Sequence, residues 1–261
     1  MPEPTVLVTR QGAVCVITLN RPAVLNSFTA EMHGLLLCAL NAAADDNAVR
    51  AVLITGSGRG FCAGQDLNDP AMVGRSVDVG AVIDRFYRPL ATRVRSMPVP
   101  VVAAVNGVAA GAGANFALCC DLVVAARGAS FIQAFSKIGL VPDCAGTWLL
   151  PRLVGRARAL GLAMLGEKLP AEEAQRMGLI WQVVDDAALT DSALAMANRL
   201  AAMPVKALAE TRRALDAAAP MDFSAALALE ANAQRELGRS HDFGEGVAAF
   251  FAKRAPVFKD R

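Results

Sequence analysis

Asp143 stands in the stretch Gly139-Leu140-Val141-Pro142-Asp143-Cys144-Ala145-Gly146-Thr147, an acid with apolar neighbours on both sides. Loss of water around such a carboxyl raises its pKa towards that of a useful general base. The same placement, after a proline and before an apolar stretch, also suits a helix N-cap. Two Gly-rich turns are the other chemical feature: Arg59-Gly60-Phe61-Cys62-Ala63-Gly64-Gln65-Asp66-Leu67, and Asn106-Gly107-Val108-Ala109-Ala110-Gly111-Ala112-Gly113. Small residues let backbone N–H groups approach a ligand, and a helix starting there adds its positive dipole end. Two such amides aimed at one point make an oxyanion hole. Tight turns packed in an α/β sheet account for the same residues equally well, with Asp66 a turn residue and Asp121 a strand-end one.

Other chemistries find little support. The chain has two histidines, His33 and His241, in separate regions and outside any triad-like setting. His33 reads as a residue on a helix face, exposed or capping, and His241 as one preceding a polar turn. Without a His/Cys cluster at ligand spacing, a zinc site is not expected. No Walker loop is present, and Gly111-Ala112-Gly113 lacks the third glycine of a dinucleotide fingerprint. The six cysteines form no CxxC pair and lie mostly among apolar residues, which predicts reduced, buried thiols rather than a disulfide framework. A net charge of +2 offers no footprint for nucleic acid or an anionic membrane. A small-molecule substrate is the expectation.

The elements that must position these residues follow from the apolar pattern. The chain of 261 residues is 54% hydrophobic and 19% charged, enough for a large packed core. Met1 to Arg10 has no apolar run behind a basic start, so no secretory signal is read and a cytoplasmic location is expected. Val14–Leu19, Ala51–Thr55, Val101–Val105 and Leu122–Ala126 read as strands. Thr29 is placed to cap a helix running through Met32, Leu36 and Leu40 to about Ala44. A polar segment, Asn68 to Gly80, leads into a helical pattern through Phe86 and Val94. The uncharged stretch Ser96 to Cys120 raises the question of a membrane span, but its prolines, glycines and asparagines favour a buried strand, a turn and a buried helix. Alternation of strands and helices predicts an α/β core with partly parallel pairing. Beyond about Arg158 strand signals vanish except at Ile180–Val184. Helices are predicted over Leu189–Met203, Val205–Ala219, Phe223–Leu237 and Glu245–Lys253. No internal repeat is evident. The Ala-Phe-Phe-Ala run at 249–252 is apolar enough to dock on a neighbour.

Taken together, Asn20-Arg21-Pro22 with Asn26, the Phe61–Leu67 loop, Asn106-Gly107 with its Gly-rich turn, Asp121 and Gly146-Thr147 resemble the landmarks of the crotonase superfamily, over Val14 to about Phe258. That resemblance implies a crotonase-like spiral of ββα units over residues 1–200. It also implies a C-terminal helical region over 201–261 that assembles a homotrimer or a dimer of trimers. It implies an acyl-CoA thioester substrate with coenzyme A as part of that substrate, and no separate cofactor or metal. By position, the thioester oxygen would be held by the Gln65 and Ala112 amides. Ala63, Asp66 and Leu67 would line the coenzyme A channel, with Arg21, Val24 and Leu25 near its nucleotide end, and Gly111 and Phe135 would also contact the substrate. Phe250 or Lys253 would close the site from the same or an adjacent subunit.

The departures from the family pattern bear on the reaction. Hydratases of the superfamily use two glutamates around one water, and here those positions hold Asn115 and Phe135, neither of which exchanges a proton as a carboxylate does. Asp143 falls where isomerases of the family keep their working aspartate. One carboxylate that removes a proton from one carbon and returns it to another performs an isomerisation. Longer stretches, Gly60–Asp69, Arg85–Leu90, Ala134–Leu140, Thr147–Arg152 and Ile180–Asp186, resemble members that convert a CoA-linked aromatic epoxide to an oxepin and shift a 3,4 double bond to 2,3. Such an enzyme would share its pathway with a hydratase partner. The rival readings are a hydratase that pairs Asp143 with Asp66 or Glu31, and a non-catalytic acyl-CoA-binding protein. Ala145 stands where the family often has glycine, which tightens the turn after Asp143.

Overall fold

The computed structural model describes residues 3–73 and 77–261. Residues 1–2 of the N-terminal stretch and 74–76 of the polar Asn68–Gly80 segment lie outside the described residues.

In chain order the hairpin β1 (Val6–Gln11) and β2 (Val14–Leu19) is followed by α1 (Ala30–Asp45), β3 (Ala51–Gly56) and β4 (Gly60–Cys62). Next come α2 (Val79–Val82), a π-turn (Ile83–Tyr87), α3 (Arg88–Arg95), β5 (Val101–Val105), β6 (Val108–Ala110) and α4 (Ala112–Cys119). Then β7 (Leu122–Ala126), β8 (Ser130–Ile132), a 3-10 turn (Ala134–Ile138) and α5 (Gly146–Leu165) lead to β9 (Lys168–Pro170), α6 (Ala171–Arg176) and β10 (Gln182–Val184). Four helices close the chain: α7 (Leu189–Ala201), α8 (Val205–Ala218), α9 (Phe223–Leu237) and α10 (His241–Ala252).

The strands form two sheets. The larger has the order β1-β2-β3-β5-β7-β10, parallel after its first hairpin, and the smaller has the order β4-β6-β8-β9. Each pair β3β4, β5β6 and β7β8 contributes one strand to each sheet and is followed by helical backbone, so the chain advances as a spiral of ββα turns. The inner strands of the larger sheet, β2, β3, β5 and β7, are covered on both faces, which explains their continuous apolar runs; all five residues of β5 are buried. Helix α1 starts where expected, with the Thr29 hydroxyl accepting from the Met32 amide at 3.3 Å. The stretch from Ser96 to Cys120 resolves into β5, β6 and the eight-residue, fully buried α4. Among the described residues no helix is long and apolar enough to cross a membrane.

Several expectations need correction. The two Gly-rich turns contain the short strands β4 and β6, paired in parallel. Beyond Arg158 a second strand is present, β9, which pairs antiparallel with β8. Helix α10 begins at His241, not Glu245, because Ser240 caps it by accepting from the Phe243 amide. His33 is buried rather than exposed. It stacks between Phe28 at 4.8 Å and Phe86 at 5.5 Å, with Tyr87 edge-on at 4.4 Å. His241, Asp242 and Asp260 do lie close together, within 4.8 Å. Asp242 is occupied there as acceptor for the amides of Lys259 at 2.6 Å and Asp260 at 3.1 Å, which pins the C-terminal tail. All six cysteines are free thiols, and all but Cys38 are buried.

Candidate active site

The two amides expected to face a ligand are brought together by the pairing of β4 with β6. Gln65 bridges Phe28 in parallel fashion: Phe28 donates to the Gly64 carbonyl at 2.7 Å and Asp66 donates to the Phe28 carbonyl at 2.9 Å. That arrangement turns the Gln65 N–H to the opposite side. Ala112 is the first residue of α4, so its N–H has no partner within the helix. Among the described residues no acceptor takes either amide. Gly64 makes their approach feasible. Its φ is +92°, and a Cβ there would lie 2.9 Å from the Ala110 carbonyl oxygen and 3.5 Å from the Ala112 nitrogen.

These groups open on a cavity of about 210 Å³. Ala63, Gln65, Leu67, Gly111, Ala112, Phe135 and Asp143 line it, so seven of the sequence-predicted site residues meet at one place. Asp143 is not a helix cap. Helix α5 starts three residues later, after Ala145, and no side chain caps it. Instead the turn runs through two left-handed residues, Cys144 (φ 47°) and Ala145 (φ 65°), each costing roughly 1–2 kcal/mol in a non-glycine residue. One carboxylate oxygen of Asp143 is buried and has no hydrogen-bond partner among the described residues. Burial raises its pKa to about 6, opposed only in part by its own backbone amide.

The remaining candidates divide. Asp66 forms an ion pair with Arg21 at 2.9 Å and accepts from the Asn68 amide at 3.0 Å. Those bonds, the Asn68 amide foremost, hold its carboxyl below the usual range. Arg21 also donates to the Ser27 carbonyl at 2.6 Å. Leu25 touches the site through its carbonyl, which accepts from the Ala63 amide at 2.9 Å, and Val24 is exposed beside it. Glu31 is exposed on α1, so neither Glu31 nor Asp66 lines the cavity with Asp143. Phe250 and Lys253 belong to α10 and its C-cap, and within one chain they do not join the site. Phe250 is 78% exposed and lines a separate apolar groove with Phe243, Phe251 and Phe258.

Tyr87 is the site residue that sequence reasoning missed. Its ring is buried in the cavity wall, and its hydroxyl donates to the Gln65 side-chain oxygen at 2.7 Å. Burial, with the Asp143 charge next, pushes the phenol well above its ordinary value, so it acts as a neutral donor. The available signal was that it is the sole tyrosine of the chain. It also closes a π-turn, a distortion frequent at functional sites.

Two main-chain amides without acceptors among the described residues and a desolvated carboxyl thus open on one cavity, carried by a spiral of ββα turns. The chain belongs to the enoyl-CoA hydratase/isomerase family, whose model matches residues 9–261. It is 53% identical over 250 residues to the 1,2-epoxyphenylacetyl-CoA isomerase of Escherichia coli K12, covering 95% of each chain. It is also 50% identical over 248 residues, 95% of each, to a Rhodobacter capsulatus protein named a probable enoyl-CoA hydratase. Among solved structures, an enoyl-CoA hydratase from Polaromonas sp. JS666 superposes with a TM-score of 0.90 at 36% identity, covering 97% of this chain and 99% of that one. The chain is thus an enzyme-family member acting on CoA thioesters, with relatives named for both isomerisation and hydration.

Proposed function

We propose that the protein is an acyl-CoA isomerase in which Asp143 transfers the proton and the Gln65 and Ala112 amides hold the thioester oxygen. The observation that carries this reading is that Asp143 is the one carboxylate lining the cavity among the described residues. Hydration by the family's two-glutamate scheme needs a second acid. The two positions concerned hold Asn115, which is fully buried and hydrogen-bonded, and the Phe135 ring.

Asp143 as carboxylate removes the proton from the carbon next to the thioester. The electron pair moves onto the carbonyl oxygen, where two main-chain donors stabilise it, each worth roughly 10²–10³ in rate because the charge exists only as the enolate forms. For a 3,4-unsaturated acyl group the proton returns to the γ-carbon and the double bond moves to 2,3. For ring-1,2-epoxyphenylacetyl-CoA the electron pair instead opens the epoxide-bearing ring towards the oxepin, and the proton held by Asp143 returns to a ring carbon, so that substrate and product remain isomers. The 53% identity to the E. coli isomerase supports this second substrate.

Arg21, Val24, Leu25, Ala63, Asp66 and Leu67 are assigned to coenzyme A, which enters and leaves as part of the substrate; no separate cofactor is assigned. Residues 201–261 are assigned to assembly of a trimer or hexamer, supported by exposed Phe223, Phe250 and Phe251. In such an assembly Phe250 or Lys253 closes the site of a neighbour. The cytoplasm is the assigned location and a hydratase of the same pathway the assigned partner.

The test is incubation with a 3,4-enoyl-CoA and with the ring epoxide in deuterated water, followed by mass and absorbance. The expected result is the 2,3-enoyl-CoA carrying deuterium at the γ-carbon, and the oxepin. Stoichiometric 3-hydroxyacyl-CoA would overturn the reading in favour of hydration. Turnover unaffected by Asp143→Asn would overturn the role of that residue.

A further inference from the structure

Asn115 does more than fill the place of an absent acid. It is 0% exposed, on the first turns of α4. Its side-chain nitrogen donates to the Asp143 carbonyl oxygen at 2.8 Å, and its side-chain oxygen accepts from Gln133 Nε2 at 2.8 Å. Gln133 is itself 4% exposed. The polarity of this chain of bonds is dictated from one end. A main-chain carbonyl only accepts, so Asn115 must present its amino group to Asp143 and its oxygen to Gln133, which must then present its own amino group. The contact is close-fitted: a Cβ on Gly146 would come within 2.2 Å of the Asn115 nitrogen.

The same helix face holds the next residue of the turn. Cys119, four residues on from Asn115, donates its thiol to the Cys144 carbonyl at 3.6 Å. Helix α4 therefore carries the Ala112 amide at its first position and, along one face, the two donors that grip the strained turn bearing Asp143. Oxyanion donor and carboxylate are tied to one rigid element.

We propose that Asn115, oriented by Gln133, is a positioning residue that holds the Asp143 carboxylate in the cavity at a fixed spacing from the Ala112 amide. The inference rests on the reading of Asp143 as the proton-transferring group. The other titratable groups of this region are the Tyr87 phenol, which lines the same cavity, and the buried thiols of Cys144 and Cys62. Burial pushes Tyr87 well up and Cys62 up to about 12, and Cys144 is raised by its bond to Cys119 and by burial. The acid limb expected of the rate near pH 6 is therefore ascribed to Asp143.

The experiment measures kcat, KM and the pH dependence of kcat for Asn115→Ala, Asn115→Asp and Gln133→Leu, with melting temperatures alongside. Loss of about 1 Å of registration costs on the order of 10²-fold, so kcat is expected to fall about 10–100-fold in both Asn115 variants, with KM within about threefold. The acid limb should move in opposite directions. It goes down in Asn115→Ala, where water reaches the carboxylate, and up in Asn115→Asp, where a second acid competes for ionisation. Gln133→Leu should lose about 3–10-fold and add nothing to Asn115→Ala, because the two residues act in series. A purely structural role lowers the melting temperature while leaving kcat and the acid limb at wild-type values, and that result overturns the proposal. If Asn115→Ala does not fold, Gln133→Leu decides by the same readouts. A wild-type enzyme that does not isomerise removes the functional reading and this inference together, whereas an active wild type with unaffected variants removes the inference alone.

Discussion

Asp143 carries a cost that can be measured without substrate. Its pKa rises from 3.8 in the unfolded chain to about 6 in the fold. The folded state therefore holds the proton more tightly, and stability is fully present below pH 3.8 and declines as pH rises through 6. Two units correspond to about 3 kcal/mol at neutral pH as an upper bound. Asp143→Asn is expected to gain about 1–3 kcal/mol in urea unfolding at pH 8 and nothing at pH 4, while turnover collapses at every pH. An equal gain at both pH values would show that the carboxyl is hydrated in the fold. Across the cavity, Gly64→Ala forces a Cβ at φ +92° into the Ala110 carbonyl, 2.9 Å away. It is expected to lower kcat about 10–100-fold by displacing the Gln65 and Ala112 amides, with acyl-CoA binding weakened less. A proportional loss of binding and rate would mean that the amides contact the ground state equally. At this scale the sequence was informative about acids and glycines, whose types restrict their uses. It was silent on Tyr87 and Gln133, because a lone phenol or amide acquires a role only from what the fold places against it.

Elements were legible where one face alone decides them. The buried stripe of α1 was read from Met32, Leu36 and Leu40, and the runs of β2, β3, β5 and β7 from unbroken apolarity. The three-residue strands β4, β6, β8 and β9 show no period of their own, and their pairing is set by neighbours distant in sequence. His33 was misread although it shares the α1 stripe with Leu36 and Leu40 at helical spacing; residue type outweighed position. Both ring nitrogens are buried and have no partner among the described residues, and burial lowers the pKa to about 4, opposed by the Asp69 charge. The unfolded histidine titrates near 6.5, so the unfolded state binds the extra proton first. Stability is present above 6.5 and is lost as pH falls towards 4, by about 3 kcal/mol in all. His33→Leu is expected to flatten the acid side of the stability curve between pH 6.5 and 4, measured by urea midpoints. A curve as steep as the wild type's would assign acid sensitivity to other groups.

At the scale of the molecule, the C-terminal helices are fastened to the spiral by charged side chains that reach main-chain carbonyls. Arg50, just before β3, donates to the Ala201 carbonyl at 2.7 Å and the Met203 carbonyl at 2.9 Å, at the junction of α7 and α8. Arg261 returns the chain end to the core by donating to the Val49 carbonyl at 2.7 Å. The deepest fastening is Arg212 of α8, 8% exposed, which grips both oxygens of Asp121 at 3.1 and 2.8 Å and also donates to the Met97 carbonyl. Asp121 in turn accepts from the Val101 amide at 2.8 Å, fixing the start of β5. Asp121, read from the sequence as a strand-end acid, is thus a joint between α8 and β5, the strand that leads into the second Gly-rich turn. Buried pairs of this kind add little net stability when both partners are present, but removing one leaves an uncompensated charge, at about 3–5 kcal/mol. Arg212→Leu and Asp121→Asn are each expected to lose that amount in urea unfolding. The double variant should remain below wild type, because the buried Met97 carbonyl loses its Arg212 donor, while the Asn side-chain oxygen at position 121 still accepts from the Val101 amide. Losses under about 1 kcal/mol in the single variants would mean that water reaches the pair and that α8 is held by its apolar face instead.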